Sequence, residues 1–454
     1  MIKYDRCLEV IAEPQVLVCG IGCAGIAAAV AAARCGARTM AVEKWPFAGG
    51  NITACSVNGC CGLADMSSGE LIVGGIALEL LHRTEALSLP LASTKLFHPP
   101  STRSADDGDR KISKFHTKIP YTWDMERFKV QADRLLQESN VDFMYHTQVV
   151  DVIVRGGRIE HVVLAGKSGI CAVKPKIVID CTGDADVACW AGAPCVTDEH
   201  PQVGTLEFYA GGVRVPENKQ EIQDKCAKVL QQAHAAGRMG IYGGPFLSFP
   251  APHTLRFNTI RLQVNGTSTR DLTRAEVQGR QDAWRMFELW KQALPEFKEA
   301  YFLSSGPALG VRETRRIHGH YTLTIDDILN VRTFEDAIVK GGWYLDRHPA
   351  HSPGYHPCVP IKAYDIPYRT LLPHKVDNLL VAGRSHSATS EALASSRVGI
   401  TVMGMGQAAG IAAAMAAAGD CPPADVDVRK LRNTLVSQKA ILDQASASAA
   451  ASGC

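Results

Sequence analysis

Short apolar runs and a run of small residues alternate near the start of the chain. Residues 15–19 form a short apolar run bounded by polar positions, which predicts a buried parallel strand. Residues 26–35 are rich in Ala and favour a helix, and a second apolar run, 37–42, follows directly after Gly36. The order strand, helix, strand predicts one βαβ unit and therefore an α/β fold.

The middle of the chain shows both helical and strand periodicity. Apolar residues recur at helical spacing over 124–139, which predicts a helix. Strand-like stretches follow at 141–145, 149–154 and 161–164, with a Gly-Gly turn between the last two, and together they predict a β-meander. Another apolar run, 176–180, predicts a further buried strand.

The later part of the chain contains the most apolar run of the sequence. The pattern is mixed from about residue 201 to 365, and a strand-then-loop pattern returns at 371–384. The apolar run 402–419 consists mostly of Ala and Gly, and its weak hydrophobicity predicts a buried, close-packed helix rather than a membrane span. Residues 98–118 are almost without apolar side chains and predict a surface loop or lid, and the Ala/Ser-rich residues 445–454 predict a disordered end.

Three glycines lie between the first predicted strand and the first predicted helix. Gly20, Gly22 and Gly25 form a Gly-x-Gly-x-x-Gly motif that allows a tight turn, a close approach of backbone amides to a pyrophosphate, and close packing of helix on strand. Glu43 follows about twenty residues later at the end of the second predicted strand, where it can accept a hydrogen bond from a ribose hydroxyl. The motif predicts a dinucleotide site and does not choose between FAD and NAD.

The charge balance and the cysteine pattern restrict the partners and the compartment. Lys and Arg number 48 against 46 Asp and Glu, a net charge of +2, which argues against nucleic acid as a partner. The 15 cysteines include no Cys-x-x-Cys pair with a matching second pair, so neither a zinc site nor a disulfide framework is indicated and no metal ligand is expected. The N-terminal residues lack the apolar stretch of a signal peptide, and we expect a cytoplasmic, reduced protein.

Three segments resemble FAD-binding segments of glutathione-reductase-type and fumarate-reductase-type flavoproteins. They are residues 43–55, which contain Gly49-Gly50-Asn51, residues 178–187, which contain Thr182-Gly183-Asp184, and residues 377–384, which end in Gly383-Arg384. When residues 310–317 and 391–397 are added, the sequence is similar to the FAD-dependent oxidoreductase family from residue 16 to about residue 418. The resemblance implies FAD as the cofactor and leaves the substrate open.

The resemblance also implies which residues contact FAD. Glu43 would hold the adenosine ribose, and the backbone of Val149 would meet the adenine. The other implied or predicted contacts follow the cofactor from the pyrophosphate to the isoalloxazine: Gly20, Gly22, Gly25, Lys44, Gly50, Asn51, Thr53, Ala54, Cys55, Thr182, Gly183, Asp184, Gly383, Arg384 and Arg397. Amides at the start of the 402–419 helix would face the flavin C2 carbonyl, because a helix N-terminus stabilises the negative charge of a reduced flavin.

Cys55 and Cys60 suggest an alternative chemistry. The Cys-x4-Cys spacing next to a flavin is that of disulfide-reducing flavoproteins, but the register after Gly50 differs and no second Gly-x-Gly-x-x-Gly motif for NADPH is present. The competing interpretation is that these are small buried thiols that fill space near a ligand. A third possibility is a dinucleotide-binding protein whose FAD has no redox role.

Candidate catalytic residues come from the polar clusters near 312–320, 346–348 and 355–369. Dehydrogenation of an alcohol or amine requires a base near the proton that is lost, and His suits that role because its pKa lies near neutral pH. We select Arg312, His356 and His386, with Arg312 as the anchor of a carboxylate or the group that polarises a carbonyl. The alternative is structural, with the arginines near 312–316 salt-bridged to Glu313.

The sequence therefore predicts a two-domain α/β flavoprotein. Residues 1–200 and 366–440 would form a discontinuous, Rossmann-type FAD-binding domain of the glutathione-reductase-like kind, with an inserted α+β substrate domain at 201–365 and a disordered tail at 441–454. We expect hydride transfer between a small polar organic substrate and flavin N5, an electron acceptor or donor of unknown identity, and possible homo-oligomers.

Overall fold

The structure is a computed structural model that describes residues 2, 6–65, 68–86, 122–348, 350–351, 353–356 and 358–443. The predicted lid at 98–118 and residues 444–454 of the predicted tail lie outside the described residues.

Strands and helices are numbered here in chain order. The strands are β1 (Val10–Ala12), β2 (Val16–Cys19), β3 (Thr39–Val42), β4 (Asp142–Met144), β5 (Thr147–Arg155), β6 (Arg158–Gly166), β7 (Gly169–Val173), β8 (Ile177–Asp180), β9 (Cys195–Val196), β10 (Phe208–Gly211), β11 (Tyr242–Ala251), β12 (Thr254–Ile260), β13 (Tyr301–Ser305), β14 (Arg316–Ile317), β15 (Ala337–Gly341), β16 (Tyr364–Pro367) and β17 (Leu379–Val381). The helices are α1 (Cys23–Arg34), α2 (Gly75–Ala86), α3 (Met125–Glu138), α4 (Asp186–Trp190), α5 (Lys219–Ala235), α6 (Thr269–Ala293), α7 (Ile325–Leu329), α8 (Ser390–Ser396), α9 (Gly399–Gly419) and α10 (Val428–Ser437).

A five-stranded parallel sheet forms the centre of the first part of the molecule. Its strand order is β17-β8-β2-β3-β4, so the last strand of the chain pairs with strands from the first half. Every residue of β2, β3, β8 and β17 is buried. This burial on both faces explains why these strands appear in the sequence as continuous apolar runs rather than as alternating patterns.

Helices α1 and α9 pack against each other more closely than ordinary side chains permit. A Cβ atom on Gly406 would lie 2.0 Å from the carbonyl oxygen of Ala24, and one on Gly410 would lie 2.2 Å from that of Ala28. Glycine is therefore required at these positions of α9. The predicted helix is rich in Ala and Gly because its backbone packs closely against that of α1. By length and composition α9 could cross a membrane, but 94% of its apolar window is buried inside the fold, as in the core helix of a soluble protein.

The predicted β-meander is only partly correct. β5, β6 and β7 are antiparallel neighbours and β1 adds to their edge, but β4 pairs in parallel with β3 in the central sheet. The chain leaves β4 through His146, whose φ of +52° turns the backbone away from the sheet before β5 begins. Because β4 follows α3, it completes a β-α-β crossover with β3. β4 therefore pairs with β3 in the parallel sheet, although only a short loop separates it from β5.

A second hydrophobic core lies between the antiparallel sheet β11-β12-β10-β13 and helices α5 and α6. Phe208 stacks on Phe257 with ring centroids 4.7 Å apart, and Trp290 stacks on Phe257 at 4.6 Å. The residues of this core run from Leu206 to Val311. By contrast, β15 and β16 pack with α9 in the core of the parallel sheet, although the predicted inserted domain extends to residue 365.

Candidate active site

A cavity of about 840 Å³ opens at the carboxyl ends of the central parallel strands. Gly20, Glu43, Thr182 and Gly383 follow β2, β3, β8 and β17 closely, and all four line the cavity. The carboxyl edge of an open parallel sheet is where α/β folds bind their ligands. The residues proposed as FAD contacts that line it are Gly20, Gly22, Glu43, Lys44, Gly50, Asn51, Cys55, Val149, Thr182, Gly183, Asp184, Gly383, Arg384 and Arg397.

The glycine motif has two different roles in the structure. Gly20 has a φ of +97°, and a Cβ atom there would lie 2.5 Å from the carbonyl oxygen of Cys181, while one on Gly25 would lie 1.9 Å from that of Gly20. These two glycines permit close packing of backbone on backbone. Gly22 instead faces open space, with Gly50 Cα the only atom near its Cβ position, at 3.8 Å. Because α1 begins directly after Gly22, unpaired amides and the positive end of the helix dipole face the cavity there.

Glu43 is held by backbone amides at the end of β3. Its Oε2 accepts from the amide of Ile21 at 2.8 Å, and its Oε1 accepts from the amide of Trp45 at 3.1 Å. Burial raises the pKa of this carboxyl group, and the two amide hydrogen bonds oppose that shift. A carboxylate has about four acceptor sites, so two remain for hydroxyl groups of a ligand.

The charged groups near Gly183 form ion pairs. Arg384 is salt-bridged to the Asp184 carboxylate, which also accepts from the Thr314 hydroxyl at 2.6 Å. Burial alone would raise the pKa of Asp184, but Arg384 and Thr314 more than offset it and the pKa is lowered. The Nε atom of Arg384 is buried without a partner among the described residues, so it is available to donate to a bound anionic or carbonyl group.

Several candidates do not line the cavity. Thr53 and Ala54 are buried behind it, where the Thr53 hydroxyl donates to the carbonyl of Ala48 at 2.7 Å. Among the catalytic candidates, His386 is fully buried, and His356, which is half-buried, also lies outside the cavity lining. The ring of His386 bonds to the Gly383 carbonyl at 2.8 Å and to the Ser396 hydroxyl at 3.1 Å. Burial lowers the pKa of His386 to about 4, so the ring is neutral and supports the loop that carries Arg384.

Arg312 lines the part of the cavity where Asn258, Asp346 and Arg397 are its neighbours. Its Nη1 donates to the carbonyl of Val203 at 2.7 Å, and its Nη2 lies 3.5 Å from the Asn258 side-chain oxygen. Arg397 approaches the same space from the end of α8 and donates to Gln202 and to the Asp346 carbonyl. The part of the cavity that Arg312, Asp346, His348 and Arg397 line is called the polar chamber below.

A histidine–aspartate pair in the polar chamber was not selected from the sequence. His348 Nε2 lies 3.1 Å from the Asp346 carboxylate, and both residues line the cavity. Burial lowers the pKa of His348 to about 4. Burial alone would raise the pKa of Asp346, but the neighbouring His348, Arg397 and Arg312 outweigh it, and the pKa of Asp346 is lowered. The pair is therefore a neutral imidazole that donates to a carboxylate. The polar stretch 346–348 was visible in the sequence, but nothing in it distinguished His348 from His356.

The cysteines of the cavity are protonated thiols. Burial raises the pKa of Cys55 to about 12, and its Sγ lies 3.2 Å from the Leu309 carbonyl oxygen. Burial likewise raises the pKa of Cys61 to about 12. No disulfide joins the described cysteines, which run from Cys7 to Cys421. Over the described ranges, no group of three or more His, Cys, Asp and Glu side chains could hold a metal ion.

No curated protein matches the chain. Among solved structures it is similar to a geranylgeranyl bacteriochlorophyll reductase-like protein from Thermoplasma acidophilum (13% identity, TM-score 0.49, covering 95% of this chain and 84% of that one). It is also similar to the myxobacterial chondrochloren halogenase CndH (12%, 0.49, 96% and 84%) and to the flavin-dependent brominase Bmp2 (14%, 0.48, 94% and 86%).

A family model described as "FAD dependent oxidoreductase" matches residues 15–435, which is most of the chain. The cavity fits this cofactor, because it offers glycine backbone, an α-helix N-terminus and the unpartnered Nε of Arg384 along one continuous surface. The chain belongs to the FAD-dependent oxidoreductase family, and it is an enzyme with FAD as its cofactor and a mixed α/β FAD-binding fold.

Proposed function

We propose that this protein transfers a hydride between a small polar organic substrate, bound in the polar chamber, and N5 of its flavin. One observation carries the proposal: a single cavity lining joins the glycine motif and Glu43 to Arg312 and to the His348–Asp346 pair. A cofactor cradled at one end would extend toward a buried base at the other. When bound, FAD supplies the hydride acceptor or donor.

His348 is the group best placed to move a proton. Its Nε2–H points at the Asp346 carboxylate, so Nδ1 is the nitrogen left to accept a proton from a substrate hydroxyl or amine. The neutral imidazole has a free lone pair for a proton, although its pKa of about 4 makes it a weak base, and the ionised Asp346 stabilises the imidazolium that results. In the opposite direction, the same nitrogen returns the proton.

Thiol–disulfide exchange through Cys55 and Cys60 receives less support. A reactive cysteine requires a lowered pKa, and that of Cys55 is raised to about 12 by burial. Its thiol is also occupied, because it donates to the Leu309 carbonyl. A non-redox role for FAD would leave the His348–Asp346 pair and the polar chamber without a use.

We further propose a glutathione-reductase-like FAD-binding part and an inserted substrate part that is narrower than 201–365. The core from Leu206 to Val311 supports this division, because it packs separately from the core around α1 and α9. We also propose a cytoplasmic, reducing compartment, which the lack of disulfides among the described cysteines supports.

Anaerobic reduction tests the proposed function. The purified holoenzyme is mixed with alcohols, amines, hydroxy acids, amino acids and sugars, and the visible flavin absorbance is followed. We expect at least one class to bleach the flavin. For the reductive direction, the photoreduced enzyme is mixed with carbonyl compounds and activated alkenes, and recovery of the absorbance is measured. An enzyme that neither bleaches nor recovers with any of these compounds would show that the proposal is wrong.

A further inference from the structure

Two guanidinium groups in the polar chamber have no carboxylate partner. Arg312 is 8% exposed, and its contacts are a backbone carbonyl and an amide oxygen. Arg397 donates to an amide oxygen and to a backbone carbonyl, and its Nε is buried without a partner. Within the described part of the chain, neither guanidinium is within salt-bridge distance of an acidic side chain.

The carboxylates that act on the two arginines already have partners, among them Glu313, which is salt-bridged to Arg316. The Asp346 carboxylate accepts from His348, Glu207 is salt-bridged to Arg256, and Glu276 is salt-bridged to Arg280 at 3.1 Å. Among the four residues that define the chamber, two guanidinium groups, Arg312 and Arg397, face one carboxylate, Asp346, and the neutral imidazole of His348. The chamber therefore has an excess of about one positive charge.

This excess is unfavourable in the empty chamber. Burying a charge without an opposite partner carries a desolvation penalty that hydrogen bonds to neutral oxygens repay only in part. Burial, followed by the repulsion of Arg397, lowers the pKa of Arg312 to about 9. A bound anion with one negative charge that faces both arginines would remove this electrostatic penalty. Functional sites often hold such unfavourable arrangements for the sake of a ligand.

We propose that the substrate carries a carboxylate group, which binds between Arg312 and Arg397 and directs the rest of the molecule toward His348. Planar guanidinium groups match the geometry of a carboxylate and can donate two parallel hydrogen bonds to it. An excess of a single positive charge fits a carboxylate better than a doubly charged phosphate. This inference rests on the proposed function in one respect, the assignment of the polar chamber to the substrate.

Ligand titration of the oxidised holoenzyme tests the inference without turnover. Acetate, succinate and benzoate are compared with acetamide, succinamide and benzamide at constant ionic strength, and the change in the visible flavin spectrum is measured. We expect at least one carboxylate to give a saturable change and its amide to bind about ten- to a hundred-fold more weakly, as the loss of hydrogen bonds to a charged group predicts. Equal binding of each acid and its amide, or tighter binding of inorganic phosphate, would overturn the proposal.

Arginine variants locate the site. Arg312→Met and Arg397→Met are each expected to weaken carboxylate binding about ten- to a hundred-fold. Arg332→Met is the matched control, because Arg332 is exposed and paired with Asp327, and its carboxylate affinity should equal that of the wild type. Unchanged affinity in both chamber variants would contradict the proposal.

Thermal unfolding separates an anchoring role from a structural one. If the arginines serve a ligand, Arg312→Met and Arg397→Met remove an unpaired charge, and the ligand-free proteins should unfold at the same or a higher temperature than the wild type. Arg397→Lys keeps the charge, provides a second folded variant and should retain more affinity than Arg397→Met. A variant that loses stability but binds carboxylates normally would overturn the inference.

The two proposals fail in different ways. Carboxylates that bind but never exchange electrons with the flavin would leave the anchor intact and refute hydride transfer. Bleaching by an uncharged substrate at a rate that Arg312→Met does not alter would leave hydride transfer intact and refute the anchor.

Discussion

The two ends of the cavity differ in how their polar groups are satisfied. At the glycine-motif end, Glu43 accepts two backbone amides and Asp184 is paired with Arg384. In the polar chamber, neither Arg312 nor Arg397 is salt-bridged to an acidic side chain of the described residues, and His348 is kept neutral by burial. At the first end Asp184 and Arg384 neutralise each other and only hydrogen-bonding groups such as Arg384 Nε stay open, whereas the arginines of the second part lack an opposite charge that a ligand could supply. The pairing of charged groups thus distinguishes a site for a permanently bound cofactor from a site for a substrate that binds and leaves.

The largest effect is expected from a substitution in the glycine motif at the cofactor end of the cavity. Gly25→Ala places a Cβ atom 1.9 Å from the Gly20 carbonyl oxygen, so backbone must move and the turn under the pyrophosphate is lost. We expect a loss of about 3 kcal/mol or more in unfolding free energy, together with loss of bound flavin. Flavin content after purification and chemical unfolding measure both. Gly240→Ala is the control, since nothing lies within 4 Å of that Cβ position. Equal flavin content in the two variants would refute the packing argument.

The next effect is confined to the polar chamber. His348→Gln keeps a polar side chain but removes the proton acceptor, so we expect flavin reduction to slow about 10²- to 10⁴-fold while flavin content stays normal. Rapid-mixing anaerobic reduction by the substrate found in the bleaching screen measures the rate. His374 is an exposed histidine outside the cavity lining, and the His374→Gln enzyme should be reduced at the wild-type rate. A His348→Gln enzyme that is equally fast would mean that another group moves the proton.

The pH dependence of stability should have opposite signs for two buried groups. The pKa of His386, beside the cofactor end, falls from 6.5 to about 4, so the unfolded chain binds more protons in that window and His386 lowers stability as the pH drops through it. The pKa of Glu207, beside the polar chamber, rises from 4.5 to about 7 because of burial, so Glu207 raises stability as the pH drops from about 7 to 4.5.

Each group contributes at most about 1.4 kcal/mol per pH unit. Urea unfolding at several pH values would compare the wild type with His386→Gln and Glu207→Gln. Relative to the wild type, the first variant should lose less stability on acidification and the second should lose more. If the slope of unfolding free energy against pH changed in the same direction in both variants, burial would not be what sets these two pKa values.

The smallest effect concerns the thiols. Cys55→Ser, Cys60→Ser and the double variant should leave the rate of flavin reduction by the substrate unchanged, because the Cys55 thiol is protonated and donates to a carbonyl that a hydroxyl can also reach. The same rapid-mixing assay measures this. If either single variant abolished turnover, thiol–disulfide exchange would replace hydride transfer as the better interpretation.

The sequence carried most of the information about the cofactor end, because that end is built from contiguous segments. Each FAD-binding segment is a strand end followed by a loop, so residues 20–25, 43–51 and 182–184 could be recognised within their own windows. The prediction that β4 belongs to a meander with β5 was wrong for a related reason. Strand identity is local, but the choice of a pairing partner depends on the crossover through α3, which the periodicity of 141–145 does not reveal.

The sequence pointed to Arg312 as a catalytic candidate and to Arg397 as an FAD contact, but it did not reveal that these two arginines and His348 share one chamber. They come from separate loops and the end of a helix, and they meet only in the folded chain, where residues of both cores line one cavity. Their burial, the neutral state of His348 and the lack of acidic partners are properties of that enclosure. Local pattern therefore determined the α/β class and FAD as the cofactor, whereas only the tertiary structure decided which polar residues line the cavity together, since desolvation and long-range proximity exist only in the folded chain.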